Sequence, residues 1–264
     1  MQFPIQGRVP LLLRETDRHR LDSYGQEYRK AREQEGWLAL APDQALALPF
    51  KTPPGASELY WSVRRTTYRR LMRFLSQEGP SPADGPVADL GAGTGWLAYR
   101  LAEAGYRALA VDASLDDAFG LGAAGPYLAA SGGRLFLAQG DLESPPLFRA
   151  CWSLVVFNAS LHYARGLEAT LARAARALAP GGRLIVLDTP VARRPVPGTG
   201  RGDRHLGRRE LEVALAGAGL SARWLRLVRG PRWWAWRLKA WLRGSAPFSF
   251  PILVAEYKRS GWPE

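Results

Sequence analysis

The sequence predicts an α/β chain built on a doubly wound, mostly parallel sheet, preceded by a helical extension. Three observations predict it. From Val87 onward, short apolar runs alternate with stretches of helical period. The first run, Val87-Ala88-Asp89-Leu90, leads into a glycine-rich turn, Gly91-Ala92-Gly93-Thr94-Gly95, and a helix start at Trp96. The second run, Ala108-Leu109-Ala110-Val111, ends in an acid, Asp112. Strand, glycine loop, helix, strand and acid in that order make one nucleotide-binding half of such a sheet. The glycines let backbone approach a ligand, and the carboxylate can accept both hydroxyls of a ribose.

The elements follow in order, with 1–86 as the helical extension and 87–264 as the sheet domain. Leu21 to Glu35 is polar and helical, with Tyr24 and Tyr28 one turn apart. Pro42 to Gly55 is Pro-rich and reads as loop. Ser57 caps a helix running to about Gln77, with Leu59, Val63, Leu71, Phe74 and Leu75 as its apolar positions. Gly79 to Pro86 links into the first strand. Leu135 to Ala138 is the third strand and Trp152 to Phe157 the fourth. Leu167 to Leu178 is a helix that Ala179-Pro180-Gly181-Gly182 stops. Arg183 to Asp188 is the fifth strand, Leu220 to Val228 the sixth and Phe250 to Tyr257 the seventh.

Spacing narrows the ligand. A dinucleotide fingerprint needs glycine at its first, third and sixth places, and here the sixth is Trp96. Gly91-x-Gly93-x-Gly95, with Asp89 two residues before, instead resembles motif I of the class I S-adenosylmethionine-dependent methyltransferases. The Pro180-Gly181-Gly182 passage before the fifth strand resembles the turn at the same place in that family. The resemblance spans roughly Val87 to Pro190. It implies a Rossmann-like doubly wound sheet of seven strands, the last antiparallel, and an enzyme that uses S-adenosylmethionine and needs no metal.

The resemblance also implies roles. Asp89 orders the glycine loop and the ligand's amino group. Gly91, Ala92, Gly93 and Gly95 lie under its amino-acid end. Asp112 holds the ribose, Ala113 and Ser114 lie beside the adenine, Asp141 bonds the adenine amino group, and the Leu142 backbone meets a ring nitrogen. Asn158, the only Asn in the chain, ends the fourth strand, where this family's cofactor and substrate meet. His162, four residues on, is the candidate base for a hydroxyl or amine nucleophile, provided its pKa lies near neutrality; it reads equally as a polar wall residue. His205 is a second candidate, and Asp188 can orient either. Trp61, Arg65, His205 and Trp234 are candidate substrate contacts, and Arg64 or Arg65 can pair with the cofactor's carboxylate.

Composition bounds the rest. At 264 residues the chain is long enough for one large core. It has no run long enough to span a bilayer, and its start lacks a secretory layout, so a cytoplasmic enzyme is expected. The single Cys151 excludes an internal disulfide and reads as a small buried residue opening the fourth strand. The net charge of +12 is unevenly placed. Residues 191–264 carry 15 basic and 5 acidic side chains, while 87–190 carry 8 and 9. Six of the ten tryptophans, Trp224, Trp233, Trp234, Trp236, Trp241 and Trp262, share that basic region.

Its centre, 231–244, reads as a helix between the sixth and seventh strands, begun by Pro231 and stopped by Gly244. Trp234, Leu238 and Trp241 share one face, and Arg232, Trp236, Lys239 and Arg243 another. A basic helix with aromatic anchors suits a membrane surface, a lid over an apolar substrate, or RNA. No Asn-Pro-Pro-aromatic run follows the fourth strand, and no added RNA-binding domain is visible. The expectation is therefore a small aromatic or lipophilic acceptor. An RNA methyltransferase and a non-catalytic S-adenosylmethionine-binding regulatory protein are the alternatives.

Overall fold

The computed structural model describes residues 4–13, 15–34, 39–196, 204–228, 230–242 and 248–257. The central sheet has seven strands: β1 (Val87–Leu90), β2 (Ala108–Asp112), β3 (Leu135–Gln139), β4 (Trp152–Asn158), β5 (Leu178–Leu187), β6 (Leu220–Leu225) and β7 (Ile252–Tyr257). Their order across the sheet is β6-β7-β5-β4-β1-β2-β3. β7 runs antiparallel to both β5 and β6, and the other pairings are parallel. The seven-stranded doubly wound sheet with one antiparallel strand is thus present.

The inner strands are apolar without alternation because both faces are covered. All residues of β1 and β4 are buried. One face carries α3 (Glu58–Gln77), α4 (Trp96–Glu103) and α5 (Gly125–Ala130), through side chains such as Leu71, Phe74, Leu97 and Tyr127. The other carries α6 (Leu167–Ala177) and α7 (Arg208–Gly217), through Leu171, Leu211 and Leu215. Before these helices come α1 (Glu15–Gln34) and α2 (Pro42–Leu46), and α8 (Pro231–Leu242) follows β6. The Leu12 N–H donates to the Gln139 carbonyl at 3.0 Å, so the chain runs beside the end of β3 just before α1.

Several boundaries differ from the sequence reading. α1 begins at Glu15, ahead of Leu21, because its charged first turns carry no apolar period to read. The expected loop 42–55 contains α2: Pro42 sits in its first turn, and the Gln44 side chain accepts the Ala41 N–H at 3.1 Å. Ser57 occupies the cap position of α3, but its side chain makes no capping hydrogen bond. α6 ends at Ala177, and β5 takes in the Pro-Gly-Gly turn as a bulge, the register moving from Trp152↔Leu178 to Leu154↔Arg183. Gly182 is needed there, since a Cβ would lie 2.7 Å from the Trp152 carbonyl oxygen.

β6 stops at Leu225. β7 starts after Pro251, which has no N–H to give. Phe248–Ser249 pairs instead with Val191–Ala192 in a small separate sheet completed by Leu206–Gly207. Cys151 is exposed rather than buried and precedes β4. Gly244, Arg243, Trp262 and residues 197–203 of the Arg193–Gly207 stretch lie outside the described residues, as do the side chains of His19, Tyr24, Arg232 and Trp241.

Candidate active site

The loops after β1, β2, β3, β4 and β5 meet at the carboxyl edge of the sheet, the ligand edge of such folds. They enclose a cavity of about 640 Å³. Its floor begins with the glycine turn, where Gly91, Gly93 and Gly95 take φ of +71°, +56° and +87°. Side chains avoid that region. A Cβ on Gly91 would also lie 2.5 Å from the Ser160 Cβ. The Ser160 hydroxyl donates to the Leu90 carbonyl at 2.6 Å and ties the end of β4 to the end of β1.

Asp112 organises the next part. One carboxylate oxygen accepts the Gly93 N–H and the other the Ser114 N–H, each at 2.8 Å. With the Ala113 N–H as a third donor, the carboxylate keeps one acceptor site for a ligand hydroxyl. Burial pushes its pKa up to about 6, against the hydrogen bonds from Ser114, Gly93 and Ala113. Asp89 lies beneath the loop, 1% exposed and not a wall of the cavity. Burial, then the Asp112 charge, pushes its pKa up to about 8, against a contribution from the Ala98 backbone N–H. Ala92, Ala113, Ser114, Asp141 and Leu142 line the cavity. Gly95 stands behind it as the residue before α4.

Asn158 is a nearly buried wall residue whose Oδ1 has no hydrogen-bond partner. The neighbouring Ala159, and Asp188 after β5, both take φ of +53° and both line the cavity. Non-glycine residues hold this conformation at a cost of order 1–2 kcal/mol, and such strain gathers at functional sites. His162 is also a wall, with Nδ1 buried and unpartnered. It does not carry the near-neutral pKa expected of it. Burial first, then the charges of His205, Arg32 and Arg64, pushes it down to about 3. The imidazole is neutral throughout the ordinary pH range.

The roof comes from the N-terminal helices. Leu21, Gly25, Tyr28 and Arg32 of α1 recur at helical spacing and line the cavity. Tyr60, Trp61 and Arg64 of α3 do the same, and Phe250 closes the side. Tyr28 meets Tyr163 edge-on at 6.2 Å, and Tyr60 meets Phe250 likewise at 6.0 Å. The Arg29 guanidinium, 2.6 Å from the Asp116 carboxylate, fastens α1 to the loop after β2.

Three candidate substrate contacts lie elsewhere. Arg65 is on the other side of α3, held by Glu58 and Thr52; Arg64 takes the cavity face. Trp234 is 60% exposed and is not a wall. His205 packs its ring 4.3 Å from that of Phe248, outside the walls, and its charge acts on His162. Conversely, the sequence reading missed Leu21, Gly25 and Arg32, although their spacing with Tyr28 is the signal that finds them. It missed Glu143 too, which the Gly166 and Arg165 N–H groups and the Arg165 guanidinium hold below the usual carboxylate range against its burial.

Residues 87–182 match the family model described as a methyltransferase domain. That match, on this sheet order and this glycine–acid floor, marks residues 87–182 as a methyltransferase domain. The cofactor such a domain calls for is S-adenosylmethionine. Among solved structures, it resembles an S-adenosylmethionine-dependent methyltransferase from Mesorhizobium loti (19% identity, TM-score 0.52, 69% of this chain and 95% of that one). It also resembles geranyl diphosphate C-methyltransferase from Streptomyces coelicolor (17%, TM-score 0.58, 75% and 80%) and the [4+2]-cyclase SpnF (19%, TM-score 0.56, 73% and 81%). At these identities the likeness is one of fold. No curated protein matches the sequence significantly.

The residues present fit that cofactor. Gly91 lets the floor come within reach of a flat ligand, Asp112 keeps acceptor capacity for a ligand hydroxyl, and the unpartnered Asn158 oxygen and the buried Asp89 and Asp112 suit a cationic group nearby. Among the described residues, no group of three His, Cys, Asp or Glu side chains is placed to hold a metal ion.

Proposed function

We propose that the protein transfers a methyl group to a small aromatic or lipophilic acceptor bound between the strand ends and the roof of α1 and α3. One observation carries this. Beside its carboxylate floor the cavity is lined by five aromatic side chains, Tyr28, Tyr60, Trp61, Tyr163 and Phe250. Its volume lies mid-range for small-molecule pockets, about 300–1,000 Å³.

When bound, S-adenosylmethionine supplies a methyl group already activated on a sulfonium. Asp112, Asp141 and Leu142 would hold the adenosine end, and Gly91 to Thr94 the amino-acid end over the buried Asp89, with Arg64 on the cofactor's carboxylate. Asn158 stands where cofactor and acceptor meet. His162, as a neutral imidazole, accepts the hydrogen bond of the attacking hydroxyl or amine through its buried Nδ1. It fixes the direction of attack and, with a pKa near 3, is a weak proton acceptor. Alignment and exclusion of water supply the rest of the rate. The helices of 1–86 act as the cover that excludes it.

An RNA acceptor fits less well, because a nucleotide within a chain would have to be drawn out of its stack and under two helices. Fold alone does not choose the chemistry: a neighbour of this fold is named a [4+2]-cyclase. The test is transfer from radiolabelled S-adenosylmethionine into an extract of the source cells, separated into lipid, small-molecule, RNA and protein pools. Label in the organic or small-molecule pool is expected. Label in RNA overturns the reading, and cofactor binding with no label in any pool would make the protein a non-catalytic binder.

A further inference from the structure

α8 is apolar on two sides, and packing accounts for only one of them. On the inner side Trp233 is 5% exposed, its ring 6.0 Å from Phe250 and 5.0 Å from Trp236, which meets Phe248 edge-on at 5.3 Å. That cluster seats the helix against the cavity wall, of which Phe250 is part. On the outer side Trp234, Leu238 and Leu242 are 60%, 57% and 70% exposed. Spaced four residues apart, they form one continuous stripe along the helix. These are the large apolar side chains that a stable fold hides first.

Charge says what they meet. At about 100° per residue, Arg237 falls on one flank of the stripe and Lys239 on the other. The Arg237 guanidinium lies 5.9 Å over the Trp234 ring, so its charge stays beside the apolar surface. Residues 231–242 contain no Asp or Glu, and the region 191–264 carries 15 basic against 5 acidic side chains. Large apolar side chains in the middle with cations at both margins are the arrangement by which a helix lies in a lipid interface.

We propose that α8 docks the protein on a bilayer bearing anionic lipids. The Trp234–Leu238–Leu242 stripe enters the acyl boundary, and Arg237 and Lys239 stay at the level of the headgroups. A second copy of the chain is a poorer occupant, because its own cations would face these. RNA is poorer too, because leucines offer nothing to a phosphate. The docking does not depend on the nature of the acceptor. It would, however, set the aromatic side of the cavity one helix away from a lipid surface, since Phe250 touches both.

The test is flotation of the full-length protein with vesicles of phosphatidylcholine mixed with phosphatidylglycerol, or of phosphatidylcholine alone, at low and high salt. Binding to the mixed vesicles is expected. It should fall at least about tenfold on the neutral vesicles and about as much in the triple variant Trp234→Ala, Leu238→Ala, Leu242→Ala. Melting temperature and cofactor affinity should be kept in that variant, because the side chains removed are exposed. Should it melt early, Leu242→Glu at the most exposed position replaces it, with the same loss expected. A wild-type protein that ignores anionic vesicles overturns the proposal. So does a variant that binds them undiminished, or one whose only change is from dimer to monomer.

Discussion

His162 and Asp89 are both buried and both displaced from their ordinary pKa, in opposite senses that lead to different experiments. His162→Ala should leave cofactor affinity within about twofold while transfer falls by 10²-fold or so, the usual scale for a polar group acting on the nucleophile. With a pKa near 3 in the folded chain, His162 gives no inflection in the rate between pH 5 and 8. A limb near 6.5 that vanishes in His162→Ala would refute the neutral role, whereas one near 6 that persists belongs to Asp112. Asp89 bears on stability. Its folded pKa of about 8 lies above the unfolded value, so its native carboxyl keeps a proton that the unfolded chain releases. Stability from this source is full below the unfolded pKa and is lost as pH rises through 8. His162 works the other way, the unfolded chain binding the extra proton between about 3 and 6.5, and Asp112 is past half ionisation above about 6. The Asp89 effect is therefore cleanest from pH 6.5 to 8. There urea unfolding of the cofactor-free protein should weaken by about 1.4 kcal/mol per pH unit at most. Asp89→Asn should flatten that slope.

At the scale of elements, α1 is the part that most needs testing. Its cavity face, Leu21, Gly25, Tyr28 and Arg32, is held over the site by the exposed Arg29–Asp116 pair and the Tyr28–Tyr163 contact. Arg29→Ala should leave the melting temperature unchanged but quicken amide exchange along Glu15–Gln34. Unchanged exchange would show that the roof is fixed by other contacts. This helix also shows what a sequence discloses. β1, β4 and the glycine turn were legible because burial on both faces and positive φ each demand particular residue types. The floor residues Asp112, Asp141 and Asn158 follow from the strand ends they occupy. The roof was less legible. α1 earns its place by tertiary contact rather than by an apolar core face, so its charged first turns carried no periodicity. Arg64 and Arg65 differ only in helical phase, and a one-residue choice between them turns on where Glu58 and Thr52 lie. The histidine's pKa was out of reach for the same reason: Arg32 and Arg64 act on it from helices more than 95 residues away in sequence.

For the whole molecule, the site and the core are one body: the sheet that buries Leu90, Leu154 and Ile185 ends in the loops that hold the ligand. Cofactor binding should therefore stabilise the entire chain. At a concentration 100 times its Kd the gain is about 2.7 kcal/mol. For a chain of this size that is a rise of roughly 5–10 °C in melting temperature, measurable by differential scanning fluorimetry. A rise confined to one of two separate transitions would show that the N-terminal helices melt apart from the sheet.

The Arg29–Asp116 pair has a kinetic consequence. Asp116 stands two residues beyond Ser114, whose N–H bonds Asp112, which in turn grips Gly93. The roof is thus latched to the same backbone that borders the proposed adenosine site. A roof that fastens to the floor in this way closes best over a floor already loaded. Turnover should be ordered: cofactor first on, its demethylated product last off, with the acceptor admitted and the methylated product discharged between them. Product-inhibition patterns would display that sequence, the spent cofactor competing with S-adenosylmethionine but not with the acceptor.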